Sequence, residues 1–191
     1  MVIGILALQG AFLEHGKMLD SLDVEHIELR NKTDLRKPFD ALIIPGGEST
    51  VIGKLLNDLN MARLLQSRIR SGMPVFGTCA GMILLAREIT DSSTRYLATM
   101  NISVQRNAYG RQLGSHCTQS SFDKNAEIPM TFIRAPSIRA AGSDVKVLAC
   151  VDGEIVAALQ GNQLVTAFHP ELTSDTTVHQ YFFNIINAHL S

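Results

Sequence analysis

A chain of 191 residues with 46% hydrophobic content suits one compact domain with a sizeable core and leaves no length for a second. Its 17 basic and 18 acidic side chains nearly cancel, which excludes the broad positive field that holds nucleic acid or an anionic membrane. Three cysteines, an odd number without paired spacing, argue against a disulfide framework and for a reducing, cytoplasmic setting.

The apolar start Val2-Ile3-Gly4-Ile5-Leu6-Ala7-Leu8 is too short to span a bilayer and lacks the basic segment of a signal peptide. Val2 to Gln9 therefore reads as a first central strand. Phe12 to Leu22 is predicted helical and Val24 to Leu29 extended. Asp40 to Ile44 is apolar enough for a strand buried on both faces, and it runs into Pro45-Gly46-Gly47-Glu48-Ser49-Thr50. Ser49 or Thr50 is the expected cap of the next helix. From Thr50 to Arg70, Val51, Leu55 and Leu59 together with Ile52 and Leu56 share one helical face, which predicts a single helix stopped by Gly72 and Pro74.

Met73 to Phe76 is again apolar and ends on Gly77-Thr78-Cys79-Ala80-Gly81, after which Met82 to Ala86 has helix-forming residues. From Ile102 to Ile133 the pattern turns to short strands and loops, predicting an antiparallel extension or a strand-rich insert. Val147 to Cys150, Ile155 to Gln160 and Gln163 to Phe168 follow as strands, with Asp152-Gly153 and Gly161-Asn162 as hairpin turns. A last helix, capped by Ser174 or Asp175, carries Val178, Tyr181, Phe182, Ile185, Ile186 and His189 at helical spacing. The alternation of strand and helix through the first half predicts an α/β fold with a parallel sheet and right-handed crossovers. No internal repeat, low-complexity run or linker interrupts it.

Chemistry concentrates where predicted strands end. Cys79 lies between two glycines at a strand-to-helix turn, the layout of a nucleophile elbow, where the positive end of the following helix favours a thiolate. A buried structural cysteine beside a glycine turn is the alternative. In Phe168-His169-Pro170-Glu171, residues two apart on an extended segment point the same way, so Glu171 can orient His169 while the other ring nitrogen takes the thiol proton. A surface His-Pro turn is the alternative there. Gly46 and Gly47 expose backbone amides, and the Gly47 amide with that of Ala80 can form an oxyanion hole; taken alone, the stretch favours a glycine turn without a ligand. Arg106 and Arg134 can pair with a substrate carboxylate or with a structural acid.

Cys117 and His116 point to opposite sides of a strand, which disfavours a dyad, and Cys150 in its Val-Leu-Ala run is expected to be buried packing. His179 and His189 are expected on a polar helix edge. The six histidines, at 15, 26, 116, 169, 179 and 189, show no metal-ligand spacing with the cysteines, so no metal site is expected.

Nearly the whole chain resembles the glutaminase subunits of pyridoxal phosphate synthases, a branch of the class I glutamine amidotransferases. The matching stretches, in order, are Leu6-Ala7-Leu8-Gln9-Gly10-Ala11, Pro45-Gly46-Gly47-Glu48-Ser49-Thr50, Phe76-Gly77-Thr78-Cys79-Ala80-Gly81, Arg106-Asn107-Ala108-Tyr109-Gly110-Arg111-Gln112, Phe132-Ile133-Arg134-Ala135-Pro136 and Phe168-His169-Pro170-Glu171-Leu172-Thr173. Met82 and Ile83 occupy the place where other amidotransferases of the class carry a glutamine, which favours the pyridoxal branch. The chain departs from the pattern at Ser115-His116-Cys117, where Ser-Phe-Glu is expected, and at Thr177, where an arginine is usual.

The resemblance implies a flavodoxin-like three-layer sandwich, with a mostly parallel central sheet flanked by helices and a small antiparallel extension, over one amidotransferase domain of residues 1–191. It implies Cys79 as nucleophile, His169 as base and Glu171 as its partner, with Gly46, Gly47, Glu48, Arg106, Ile133 and Arg134 holding L-glutamine and no cofactor required. It names as partner a synthase subunit that joins the ammonia with a pentose phosphate and a triose phosphate to make pyridoxal phosphate. It also implies weak glutaminase activity until docking completes the oxyanion hole. Two other readings remain at this point, a stand-alone cysteine hydrolase of γ-glutamyl amides or peptides and a non-catalytic docking module.

Overall fold

A computed structural model describes residues 1–108, 115–123 and 126–191. The elements begin with β1 (Val2–Leu6), α1 (Phe12–Ser21), β2 (Glu25–Leu29), a 3-10 turn at Asp34–Arg36, β3 (Ala41–Ile44), α2 (Ser49–Asp58), α3 (Ala62–Arg70), β4 (Val75–Thr78), α4 (Ala80–Leu85) and β5 (Ala86–Ile89). They continue with β6 (Met100–Gln105), β7 (Ser115–Phe122), β8 (Ala126–Ile133), β9 (Ser137–Ala141), β10 (Lys146–Val151), β11 (Glu154–Gln160), β12 (Gln163–Thr166), a 3-10 turn at Pro170–Leu172 and α5 (Thr177–Leu190). Of the fourth matching stretch, Tyr109, Gly110, Arg111 and Gln112 lie outside the described residues.

The main sheet runs in the order β2-β1-β3-β4-β12-β11-β9-β6-β5, with β10 paired to β11. Its first five strands are parallel; β11 turns the sheet antiparallel against β12, β9 and β10. Every residue of β3 and β4 is buried, as strands covered on both faces require. The chain leaves β1 toward β2 on one side and returns to β3 on the other. Right-handed crossovers then put α1 and the α2–α3 pair on opposite faces and make the β1/β3 edge a switch point. On the α1 face, Phe182 of α5 packs on Phe76 of β4 with ring centroids 5.6 Å apart.

The strand-rich middle divides in two. β5, β6, β9, β10 and β11 extend the main sheet, whereas β7 and β8 form a separate antiparallel ribbon. Both predicted hairpin turns form: Asp152 and Gly153 have φ of 52° and 80°, and Gly161 has φ of 54°.

The single helix expected from Thr50 to Arg70 is two helices. Asn60 takes φ of 55°, its N–H bonds to Asn57 O, and the Met61 N–H bonds to Leu56 O, the double closure of a helix C-terminus. Of the apolar positions read as one stripe, Ile52 and Leu56 are buried while Val51 is exposed. Neither Ser49 nor Thr50 caps α2; Glu48 holds the cap position. At α5 neither Ser174 nor Asp175 holds the cap position, which falls on Thr176, although the Asp175 carboxylate accepts the Thr177 N–H at 2.9 Å.

Cys150 is exposed rather than packed inside, because irregular register in β10 at Val147, Ala149 and Cys150 buries both Leu148 and Ala149 and turns the next side chain outward. His179, expected on a polar edge, is fully buried, and only His189 is exposed. No helix among the described residues is long and apolar enough to cross a membrane.

Candidate active site

β1, β3, β4 and β12 are neighbours and parallel, so the segments that follow them emerge on one edge of the sheet. Gln9 and Gly10 follow β1, Gly46 to Glu48 follow β3, Cys79 follows β4 and His169 follows β12. The thiol sits on the tight turn between β4 and α4. Cys79 adopts φ 47° and ψ −99°, a conformation rare for a residue with a side chain, and its N–H is held by Thr166 O at 2.8 Å.

The backbone strain thus falls on the cysteine itself, while the flanking glycines permit close approach. A methyl on Gly81 would lie 2.1 Å from Ile44 O, and one on Gly77 would lie 2.7 Å from Gly81 C. α4 has only six residues, so its field at the sulfur comes from the unpaired N–H groups of its first turn.

His169 and Glu171 meet, by a different route from the one expected. Pro170 opens a 3-10 turn instead of extending the chain, and that turn brings Glu171 Oε1 within 2.7 Å of His169 Nδ1. Both residues are buried. Burial opposes charge on His169, but hydrogen bonds to Cys79 and Glu171, with attraction to both, win and push its pKa up to about 10. Burial likewise opposes the Glu171 carboxylate; the nearby His15 and His169 rings overcome it and hold Glu171 below the usual range. The imidazolium is therefore the resting form at neutral pH.

A third layer lies behind this pair. His15 Nε2 is 3.2 Å from Thr78 Oγ1 and 3.6 Å from Glu171 Oε2, and His15 Nδ1 is 3.2 Å from His179 Nε2. Thr78 Oγ1 accepts the Gly46 N–H at 2.9 Å. Sequence reading passed over His15 and Thr78, and it misplaced His179. The partners of His15 are 63, 156 and 164 residues away along the chain, beyond any local spacing signal.

In front of Cys79 opens a cavity of about 460 Å³. The buried Cys79, Ile83, His169 and Gly46 line its depth, and Gly47, Glu48, Arg106, Ile133 and Arg134 stand around it. Ala80 and Glu171 do not line it; both are buried behind the surface. Gln9, Gly10, Glu14 and Asn107 also line it; the first two and Asn107 fall in matching stretches, but none of the four was given a role from the sequence.

The glycine turn is tied down on several sides. Gly46 O accepts the Ala11 N–H at 3.0 Å, Gln9 Oε1 accepts the Glu48 N–H at 2.8 Å, and a methyl on Gly10 would lie 1.8 Å from Gly46 O. Gly10, with φ of 97°, is a position that only glycine suits.

Arg106, Arg134 and Glu48 around the cavity pair with protein groups. Arg106 grips Asp91 through Nε, at 3.0 and 3.2 Å to the two oxygens, and Nη2, at 2.9 Å. Arg134 Nη2 donates to Glu48 Oε1 at 3.0 Å across the mouth. The β7–β8 ribbon supplies one wall. Thr131 O accepts the His169 N–H at 2.8 Å, Phe132 packs on Phe168, and Ile133 O lies 3.9 Å from Cys79 Sγ. Of the departing residues, Ser115, His116 and Cys117 belong to this ribbon, where Ser115 pairs with Ile133 and His116 stacks on Phe132 at 4.7 Å, while Thr177 opens α5.

A family model described as the SNO glutamine amidotransferase family matches residues 5–188. The pyridoxal 5'-phosphate synthase subunit PdxT of Streptococcus pneumoniae strain CGSP14 is 57% identical over 188 residues, covering 97% of each chain. The protein of the same name from strain ATCC 700669 / Spain 23F-1 is 56% identical with the same coverage. A crystal structure of a glutamine amidotransferase superposes with a TM-score of 0.92 at 41% identity, covering 98% of this chain and 100% of the other. A putative GMP synthase subunit from Thermoplasma acidophilum shares the fold, with a TM-score of 0.71 at 16% identity, covering 99% and 95%. The fold is thus the flavodoxin-like amidotransferase sandwich expected from the sequence, and the chain belongs to the SNO glutamine amidotransferase family.

Proposed function

We propose that this chain is the glutaminase subunit of a pyridoxal 5'-phosphate synthase, with residues 1–191 working as one domain that hydrolyses L-glutamine to L-glutamate and ammonia. One observation carries the chemistry: Cys79, the His169 imidazolium and Glu171 follow one another from the floor of a cavity large enough for a small amino acid. Family membership and the 57% identical PdxT relative support the assignment to this synthase.

Cys79 attacks the side-chain amide carbon of glutamine as a thiolate, its proton already resting on the His169 imidazolium. The oxyanion is held by the amides of Gly47 and Ala80, a kind of donor typically worth about 3 kcal/mol of barrier each. His169 Nε2–H then protonates the departing nitrogen, ammonia leaves, and a glutamyl thioester remains on Sγ. Water, deprotonated by the now neutral His169, cleaves the thioester and restores the pair. Glu48, Arg106, Ile133 and Arg134, with Gly46 and Gly47, hold the glutamine. Two cations and a carboxylate match the charges of an amino acid, and the Arg134–Glu48 pair opens to engage them.

Ammonia released into bulk water protonates and diffuses away, so the chain docks on the enzyme that consumes it, in the cytoplasm. Docking acts on the glycine turn. The bond from the Ala11 N–H to Gly46 O holds the Gly46–Gly47 peptide in its present orientation, and turning that peptide to aim an amide at the oxyanion breaks the bond. The test is a glutaminase assay of the chain alone and with stoichiometric synthase subunit. The partner is expected to raise the rate several-fold, and equal rates overturn the assignment to a synthase. Cys79→Ala, assayed in the complex, is expected to abolish glutamine hydrolysis, and retained hydrolysis overturns the chemistry.

A further inference from the structure

Two buried histidines remain unused by this reaction. His15 of α1 and His179 of α5 are both shut off from solvent, and their rings meet at 3.2 Å, Nδ1 to Nε2. His15 Nε2 faces two groups at once. Thr78 Oγ1, at 3.2 Å, accepts the Gly46 N–H; Glu171 Oε2, at 3.6 Å, belongs to the carboxylate that holds His169. One ring therefore stands between the triad carboxylate and the glycine turn.

The positions of the protons follow from what each group can accept. The ionised Glu171 accepts only, and its buried Oε2 has no hydrogen-bond partner among the described residues. A proton on His15 Nε2 is donated to Thr78 Oγ1 at 3.2 Å, and the N–H dipole also faces Glu171 Oε2, a charge–dipole contact at 3.6 Å rather than a hydrogen bond. His15 Nδ1 then carries a lone pair and accepts the Nε2–H of His179, whose own Nδ1, likewise buried without a partner, is left with only a lone pair. The reverse order aims a lone pair at a carboxylate and buries an unpaired N–H, which is costlier on both counts.

Both rings are neutral. Burial lowers the pKa of His15 and outweighs attraction to Glu171 and Glu14, with His169 adding to the lowering. Burial and His15 push His179 down to about 3 against attraction to Glu171. Besides these groups the His15 ring meets Thr78 and the edge of Phe76, both on β4.

We propose that His15, held in its Nε2-protonated form by His179, is a positioning residue that orients Glu171 and, through Thr78, the Gly46 peptide. The base and the oxyanion-hole turn are thereby set against one another by a single side chain. This rests on the glutaminase reading above.

The test uses the full chain in complex with its synthase subunit. His15→Phe keeps a buried ring and removes both nitrogens, whereas His15→Gln keeps an N–H donor of similar reach. Loss of an orienting partner typically costs about 10- to 100-fold, so His15→Phe is expected to lower kcat by that factor with KM changed less than about threefold. The high-pH limb of its kcat profile moves to lower pH, because a loosely held Glu171 stabilises the imidazolium less. His15→Gln is expected to recover most of the loss. Nitrogen-15 NMR of the wild-type imidazoles is expected to show protons on Nε2 of both His15 and His179.

A folded His15→Phe with wild-type kcat and pH profile overturns the proposal, as does a proton on His15 Nδ1. If His15→Phe does not fold, His179→Phe decides. It is expected to lower kcat by about threefold or more and to mix the two His15 tautomers, and unchanged kcat overturns the proposal. Absence of glutamine hydrolysis by the wild-type complex would instead defeat the glutaminase reading, while the NMR result would still report on the His15–His179 arrangement.

Discussion

The floor and the rim of the cavity are built on opposite principles. At the floor, Cys79, His169 and Glu171 are buried, each anchored to a strand end or a tight turn, and they already face one another. At the rim, Glu48 and Arg134 are mostly exposed and pair with each other, and Arg106 is held by Asp91. Charges withdrawn from water interact strongly and hold a fixed geometry, whereas exposed pairs are screened and are worth about 0–1 kcal/mol. The groups proposed to react are therefore preorganised, and those proposed to bind stay adjustable.

The largest test of this contrast is Glu171→Gln. It removes the charge that holds the imidazolium while leaving the shape, and kcat in the complex is expected to fall about 10³-fold with KM little changed. A loss under about tenfold would mean that the floor is less preorganised than described. Next comes Gly46→Ala, whose methyl would lie 2.2 Å from His169 Cε1. Displacing the ring is expected to cost about 10²-fold in kcat/KM, and a crystal structure of the variant should show His169 moved off Glu171.

At the rim, Arg134→Ala is expected to raise KM about tenfold, with kcat within about threefold and the melting temperature nearly unchanged. A collapse of kcat instead would place Arg134 with the floor.

The smallest effect is in stability against pH, and its sign separates the two regions. The folded pKa of His169, about 10, lies above the unfolded value of 6.5, so its contribution is complete below pH 6.5 and is lost as pH rises through about 10. Asp91 behaves in the opposite sense. Its hydrogen bonds to Arg106 lower its pKa below 3.8, so its small contribution is present above pH 3.8 and is lost as pH falls through the depressed value. Urea midpoints should fall between pH 6.5 and 10 in the wild type and fall less in Cys79→Ala, which lacks one of the two hydrogen-bonding partners that raise the His169 value. An equal fall in both would show that the thiol does not contribute.

Much of this was legible along the chain because it depends on neighbours. The apolar runs of β1, β3 and β4, the paired glycines around Cys79, the glycine turn after β3 and the hairpin at Asp152-Gly153 all announce themselves within a few residues. Some local signals were outvoted by stronger ones. Asn60 is a residue type that ends helices, and the apolar stripe stops at Leu59 just before it, yet the stronger breakers Gly72 and Pro74 set the expected end; α2 ends just before Asn60. Pro170 suits the first position of a 3-10 turn as well as an extended segment, and the turn is what joins Glu171 to His169. A register irregularity, which leaves no mark in a short apolar run, turned Cys150 outward.

What the sequence determined by itself was where the backbone turns that hold the proposed reactive residues lie, because strand, turn and helix preferences act over three to five positions. Only tertiary structure decided which distant groups share a solvent-free space: His15 against His179 and Glu171, the β7–β8 ribbon against His169, Arg134 against Glu48. The reason is physical. The charge state of a buried ring or carboxylate depends on what lies within a few ångströms in every direction, and most of those neighbours are brought there by the packing of the sheet and its helices.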